Sequence, residues 1–196
     1  MTLRLPGPDY EFRTTWRVAG TVAEVLGVLA DVRALPRWWP AVYLDAAVLD
    51  GGAADGTGTT AAFRTTGWLP YTLCWTMTVT EPVTAAGYTV RAAGDLAGTG
   101  RWTFAQDGPE AVVTYLWRVR AEKPLLCRLS WLFKPAFAAN HRWAMARGQE
   151  SLALELRRRR APDAAALARI PAPPRPAFAR LAGVLGRLSR PVRRCP

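Results

Sequence analysis

Apolar and polar residues alternate with a period of two over most of the chain ahead of Pro124. From Glu11 to Val18, Phe12, Thr14, Trp16 and Val18 share one face and Arg13, Thr15 and Arg17 the other, predicting a strand with one buried face. Thr21-Val-Ala-Glu24 is a capping-box pattern, and the helix it opens runs to about Ala30 with Val22, Val25, Leu26 and Leu29 on its apolar side. Pro36 and Pro40 leave room for only a short helical turn before Val42. Val42, Leu44, Ala46 and Val48 then alternate as a strand turned by Asp50-Gly51-Gly52, and Thr57 to Thr66 forms another. After the Gly67–Pro70 turn, Tyr71, Leu73, Trp75, Met77 and Val79 face one way against Thr72, Cys74, Thr76, Thr78 and Thr80. Tyr88 to Ala92 is a short strand, Gly94 to Gly100 a glycine-rich turn, and Arg101 to Ala105 a strand carrying Trp102 and Phe104. Asp107-Gly108 marks a hairpin leading to a strand with Val113, Tyr115, Trp117 and Val119 on one face.

The period changes to 3.6 after an apolar approach, Leu125 to Phe133. Lys134 to Arg160 has the length and composition of a long helix, with Pro135 suited to its first position. Phe137, His141, Ala144, Met145, Gly148 and Leu152 fall on one face; Arg142, Ala146, Gln149, Glu150, Ala153 and Arg157 fall on the other. Gly148 costs about 1 kcal/mol against alanine in a helix interior, so its position implies close approach of another element or room for a ligand. The order of elements predicts an α+β fold: a seven-stranded antiparallel sheet, two short helices after the first strand, and a long C-terminal helix across the concave face. Such a sheet can leave a cavity under the helix.

Charge changes the picture at one end only. The net charge is +11, yet residues 1–156 hold 15 of the 26 basic and 14 of the 15 acidic residues. The body is near neutral and residues 157–196 carry almost all of the excess, so nucleic acid is not an expected partner. No apolar run is long enough to span a membrane, and no signal-peptide pattern opens the chain. Cys74, Cys127 and Cys195 are odd in number and far apart, which argues against a disulfide framework or zinc site and for a cytoplasmic location. The boundaries that follow are 1–160 for the folded domain, 161–176 for an Ala/Pro-rich extended linker with a helical turn near Ala164 to Arg169, and 177–196 for a basic tail. Phe178, Leu181, Val184, Leu185 and Leu188 can share one side of a tail helix that rests peripherally on an anionic membrane or docks a partner, with a solvated tail as the alternative.

The Thr21-x-x-Glu24 helix ending in Ala30-Asp31, Trp38-Trp39-Pro40, Leu69-Pro70-Tyr71, Gly100-x-Trp102, Tyr115-x-Trp117-x-Val119, Asn140-His141 and Gly148-x-x-x-Leu152 follow one another in that order. Together they resemble the START-like helix-grip (SRPBCC) superfamily, in its polyketide cyclase/dehydrase branch. The resemblance implies an apolar cavity for a hydrophobic or aromatic small molecule. Some members cyclise or dehydrate polyketides and others carry lipids. It supplies no shared catalytic motif, and it implies no cofactor.

The only histidine, His141, sits on the inward helix face, where it can act as acid or base or bond to a strand hydroxyl instead. Tyr71 and Tyr115 can donate to a ligand carbonyl. Trp16, Trp75, Met77, Trp102, Phe104, Trp117, Phe137, Ala144, Met145 and Gly148 complete the expected lining, for which core filling is the alternative. Trp38 and Trp39 plug the junction of helix and sheet. Asn140 is a local packing or hydrogen-bonding residue. Arg64, Arg101 and Arg118 are expected outside, and acidic residues in turns or on the surface. No metal site is expected. Two functions fit: a small-molecule binder that cyclises or dehydrates a polyketide, or a non-catalytic carrier held near a membrane by its tail. The oligomeric state is open.

Overall fold

A computed structural model describes residues 10–69, 71–121 and 124–177, with backbone alone for 121 and 124–134. The alternating segments form one antiparallel sheet: β1 Tyr10–Ala19, β2 Tyr43–Asp50, β3 Thr60–Thr66, β4 Thr72–Val79, β5 Gly87–Gly94, β6 Leu96–Asp107 and β7 Glu110–Ala121. Their order is β1-β7-β6-β5-β4-β3-β2, so consecutive hairpins build six strands and β1 closes onto β7. Two helices follow β1: α1, Val22–Leu29, and α2, Leu35–Trp38, with a 3₁₀ turn at Val32–Ala34 between them. The capping box forms as its residues demand: Glu24 N–H donates to Thr21 Oγ1 (3.2 Å) and Thr21 N–H to Glu24 Oε2 (2.8 Å). This is the α+β fold expected, with a long helix, α3, after the sheet.

Four boundaries differ from expectation. α3 spans Pro124–Arg159, so the apolar approach is helical and Pro135 lies inside the helix. Pro124 takes the initial position instead, where its missing N–H costs nothing. The turn expected over the glycine-rich segment 94–100 is tighter: β5 runs to Gly94, the chain reverses at Asp95, β6 starts at Leu96, and Gly98 and Gly100 pair with Val119 and Trp117 of β7. The third strand starts at Thr60, not Thr57. A register shift between Tyr43 and Asp45 interrupts β2. An extra residue reverses which side chains face the core, so Tyr43, with Ala46 and Val48, packs on the core where Leu44 was expected.

The inward face of α3 is as predicted: Met145 and Leu152 are buried, and Leu156 continues the stripe. Arg101 and Arg118 lie outside, paired with Glu81 and Glu11. One acidic residue breaks the expectation of surface carboxylates. Glu155 on α3 is 1% exposed. Arg37 Nη1 and Nη2 donate to its two oxygens at 2.9 and 2.7 Å, and Arg159 Nε donates at 3.0 Å. This clamp ties α2 to the end of α3. Burial pushes the Glu155 carboxyl up, but the two arginines outweigh it and hold it below its ordinary value. Cys74 is disulfide-bonded, against the expectation of unpaired cysteines.

Beyond α3, α4 (Ala164–Ala168) is capped by Asp163, whose Oδ1 accepts from Ala166 N–H. The linker is not free of the body. Arg158 donates to the Pro171 carbonyl, and Ala172, Pro173, Arg175 and Pro176 border a groove with Pro36, Pro40, Tyr43 and Leu44. The amphipathic pattern expected from residue 178 onward lies outside the described residues. Among the described residues, no helix is long and apolar enough to cross a membrane.

Candidate functional site

Buried apolar residues fall into a large cluster around α1, α2 and most of the sheet, and a smaller one of Tyr10, Ala92, Trp117 and Val119. Trp75 and Tyr115 pack against both. A cavity of about 180 Å³ opens at the junction. Leu73, Trp75 and Met77 of β4, Trp102 of β6, Tyr115 and Trp117 of β7 and Phe12 of β1 supply its sheet side. Phe137, Asn140, His141, Ala144 and Met145 of α3 supply its helix side, and Trp39, Val42 and Tyr43 one end.

Eight aromatic rings form a closed belt. Trp16 meets Trp102 (5.7 Å between centroids), which stacks on Tyr115 (4.0 Å), then Trp117 (5.6 Å) and Trp75 (5.9 Å). Trp75 meets Phe63 (4.8 Å), then Tyr43 (5.3 Å), Trp39 (5.2 Å) and Trp16 again (5.6 Å). Tilted and edge-on pairs of this kind add to area burial and hold the rings in place. Such a belt presents flat apolar walls suited to rings or unsaturated chains.

Of the residues expected to line a site, Tyr71, Trp75, Met77, Trp102, Tyr115, Trp117, Phe137, His141, Ala144 and Met145 do so. Trp16, Phe104 and Gly148 do not. Trp16 sits behind the lining as part of the belt, and Phe104 is core packed near Tyr88. Gly148 serves close approach: a Cβ there would stand 2.4 Å from Trp39 Cζ2 and 2.8 Å from Trp16 Cζ2. Trp38 and Trp39 are both buried, and Trp39 also walls the cavity. Sequence reading missed Tyr43, Phe12, Tyr10 and Thr65. Tyr43 escaped because the β2 bulge reverses its face; Phe12 was visible in the alternation of β1 and went unused.

The polar groups are few. The Tyr115 phenol rests over Gly100, where a Cβ would come within 2.3 Å of its oxygen. Burial pushes Tyr115 and Tyr43 well above the ordinary phenol range. Burial, with Tyr10 nearby, pushes Tyr71 up to about 12. All three keep their protons at neutral pH. Asn140 holds the site's edge: its Oδ1 accepts from Trp68 and Leu69 N–H (2.9 and 3.3 Å), and its Nδ2 donates to Tyr71 Oη (3.4 Å). The Tyr71 O–H is left to donate elsewhere. Thr65 Oγ1 accepts from Trp75 Nε1 (3.0 Å), whereas the buried indole N–H groups of Trp16, Trp38 and Trp39 have no acceptor among the described residues.

His141 stacks on Phe12 (4.2 Å, 15°) and reaches Thr14 Oγ1 through Nε2 at 3.5 Å. Burial, then the Arg142 charge, lowers its pKa from 6.5 to about 4, so it is neutral at pH 7. The unfolded chain takes up this proton near pH 6.5 and the folded chain only near pH 4, so folding stability drops as pH falls through that window. The drop is worth about 3 kcal/mol between pH 7 and 4. The stability difference between wild type and His141→Gln, measured by urea unfolding at each pH, is expected to shrink by this amount. A flat difference would place His141 in water.

Among the described residues, no group of three His, Cys, Asp or Glu side chains gathers to hold a metal ion.

The chain matches the family described as polyketide cyclase/dehydrase and lipid transport over residues 10–157. Solved structures of similar fold include the ZhuI aromatase/cyclase from Streptomyces sp. R1128, at 16% identity and a TM-score of 0.58, covering 76% of this chain and 94% of that one. A Thermus thermophilus protein, TTHA0849, has 16% identity and a TM-score of 0.57, covering 73% of this chain and 97% of its own. A STAR-related lipid transfer protein from Xanthomonas axonopodis has 21% identity and a TM-score of 0.50, covering 79% and 90%. No curated protein matches the sequence significantly. At these identities the structural likeness is one of fold, and the family match spans the whole helix-and-sheet body. The chain belongs to the polyketide cyclase/dehydrase and lipid transport family.

Proposed function

We propose that the protein binds a ring-bearing, carbonyl-containing apolar molecule between sheet and α3 and promotes its cyclisation or dehydration. The observation that carries this reading is a titratable group in an aromatic cavity: His141 lines it together with the phenols of Tyr71 and Tyr115. A carrier needs no such group. In this reading, neutral His141 accepts a proton from carbon next to a carbonyl, and a tyrosine O–H donates to the oxygen that gains charge. A pKa of about 4 makes His141 a weak base, so the ligand's acidity, raised by neighbouring carbonyls, supplies much of the driving force. Burial of both phenols keeps them as donors.

The second reading is a lipid carrier at an anionic membrane surface, supported by the mostly apolar lining and by the charge concentrated in residues 157–196. Native mass spectrometry of protein from its own host, followed by extraction, separates the two. A co-purifying aromatic or polyketide-like compound is expected. His141→Ala should then leave its affinity within about threefold and slow its conversion by about 10²-fold or more. A bound fatty acid or phospholipid with no conversion decides for the carrier, and conversion unaffected in His141→Ala overturns the role given to His141.

A further inference from the structure

A second hollow, of about 330 Å³, adjoins the first. Leu29, Val32, Leu35, Val79, Val83 and Tyr88 line it, and it opens at the exposed residues Ala30, Ala54 and Asp55. Four residues, Trp39, Tyr43, Met77 and Trp102, belong to both linings and form the partition between them. Three of the four are rings of the aromatic belt, each held by two belt neighbours. Met77 is the exception. It is unbranched, has three rotatable side-chain bonds, and is only partly buried.

We infer that the two hollows are one elongated site for a ring-bearing ligand that carries a long acyl chain, and that Met77 is the side chain that decides whether the chain crosses the partition. Volume argues for it. The first hollow falls short of the roughly 300–1,000 Å³ that encloses a drug-sized ligand and the second stands at its lower edge; joined, they lie inside that range. Polar chemistry argues for it too. Three phenols are spaced along the joined path: Tyr115 in the first lining, Tyr43 in the partition and Tyr88 in the second lining. They offer donors along the path to the carbonyl or carboxyl oxygens of an acyl compound. The partition gives a length filter: a compact ring fits one side, and a chain must displace Met77.

This inference rests on the binding cavity proposed above and extends it. Two probes test it on the full chain: 2-naphthol, which is compact, and cis-parinaric acid, a long fluorescent fatty acid. Ala54→Trp at the exposed mouth and Val83→Trp in the wall are both expected to plug the second hollow. Each should weaken cis-parinaric acid at least about tenfold, because several chain carbons lose their burial, and leave 2-naphthol within about twofold. Met77→Ala should tighten cis-parinaric acid by about threefold or more. Unchanged cis-parinaric binding in the plugged variants overturns the joined site, and an unchanged Met77→Ala overturns the gate. Retained 2-naphthol binding reports a folded first hollow; if Val83→Trp loses both probes, Ala54→Trp decides. A wild-type protein that binds neither probe overturns the cavity reading beneath this one.

Discussion

Replacing Trp39 with alanine is expected to cost about 3–5 kcal/mol of folding stability, read by urea unfolding followed by circular dichroism. The indole is 4% exposed and contacts Trp38, Tyr43 and Trp16 within 5.2–5.6 Å between centroids. It also covers Gly148 on α3. Removing it opens the belt and leaves a void that the neighbouring rings cannot fill without leaving their own contacts. Gly148 supplies the internal control. In an ordinary helix, glycine to alanine gains about 1 kcal/mol. Here the new Cβ would sit 2.4 Å from Trp39 and 2.8 Å from Trp16, so Gly148→Ala should destabilise by about 1–2 kcal/mol. In the Trp39→Ala background most of that clash is gone, and the same change should cost at least about 1 kcal/mol less. Additive effects would show that the helix can slide away from the tryptophans, and would remove the reason given for the glycine.

Stripping both arginines from Glu155, as Arg37→Ala with Arg159→Ala, is expected to cost about 3–5 kcal/mol at pH 7. The asymmetry of exposure decides this. Arg37 and Arg159 are 59% and 38% exposed and can return to water, whereas the Glu155 side chain is 2% exposed and cannot. Either single change leaves one partner and should cost less than half as much. The pH dependence separates a lost charge pair from lost packing. In the wild type the carboxyl is held low, so its contribution is present above the ordinary value of 4.5 and is lost as pH falls through the lower folded value. In the double variant, burial alone acts and raises the folded value above 4.5. The penalty is then largest at neutral pH and is relieved as acid protonates the buried carboxyl. Glu155→Gln in the double-variant background should recover about half of the loss at pH 7. A penalty that does not change between pH 7 and 4 would assign it to packing.

The elements themselves were legible because their signals are local. The alternation of β1, β4 and β7, the Thr21–Glu24 box and the apolar face of α3 each need only neighbours within a few positions, and each appears where its pattern lies. The same holds for the turn of helix after Asp163. Inward direction was enough to put ten of the thirteen expected residues on the cavity lining, since a side chain on the concave face either lines the cavity or backs it.

Which of those two it does is a long-range matter. Trp16, Phe104 and Gly148 carry the same inward signal as Trp102 and Met145, but the neighbours that cover them come from elements far along the chain. The β2 bulge that turns Tyr43 inward leaves no mark in the alternation of Val42, Leu44, Ala46 and Val48, because it arises from pairing with β3. The glycines at 94, 98 and 100 read as one turn until β4 pairs with Gly94 and β7 with Gly98 and Gly100, which shows them as places where backbone or the Tyr115 ring comes close. Glu155 reads as a surface charge on a helix whose arginine, 118 positions earlier, is invisible to any local window. The sequence by itself determined the strands, the capped helix, the inward faces and the neutral body with its basic end, because each depends on short-range geometry or on a simple count. Tertiary structure alone decided the closed aromatic belt, the partition between two hollows and the buried carboxylate clamp, because each needs residues that only the sheet and α3 together bring within contact distance.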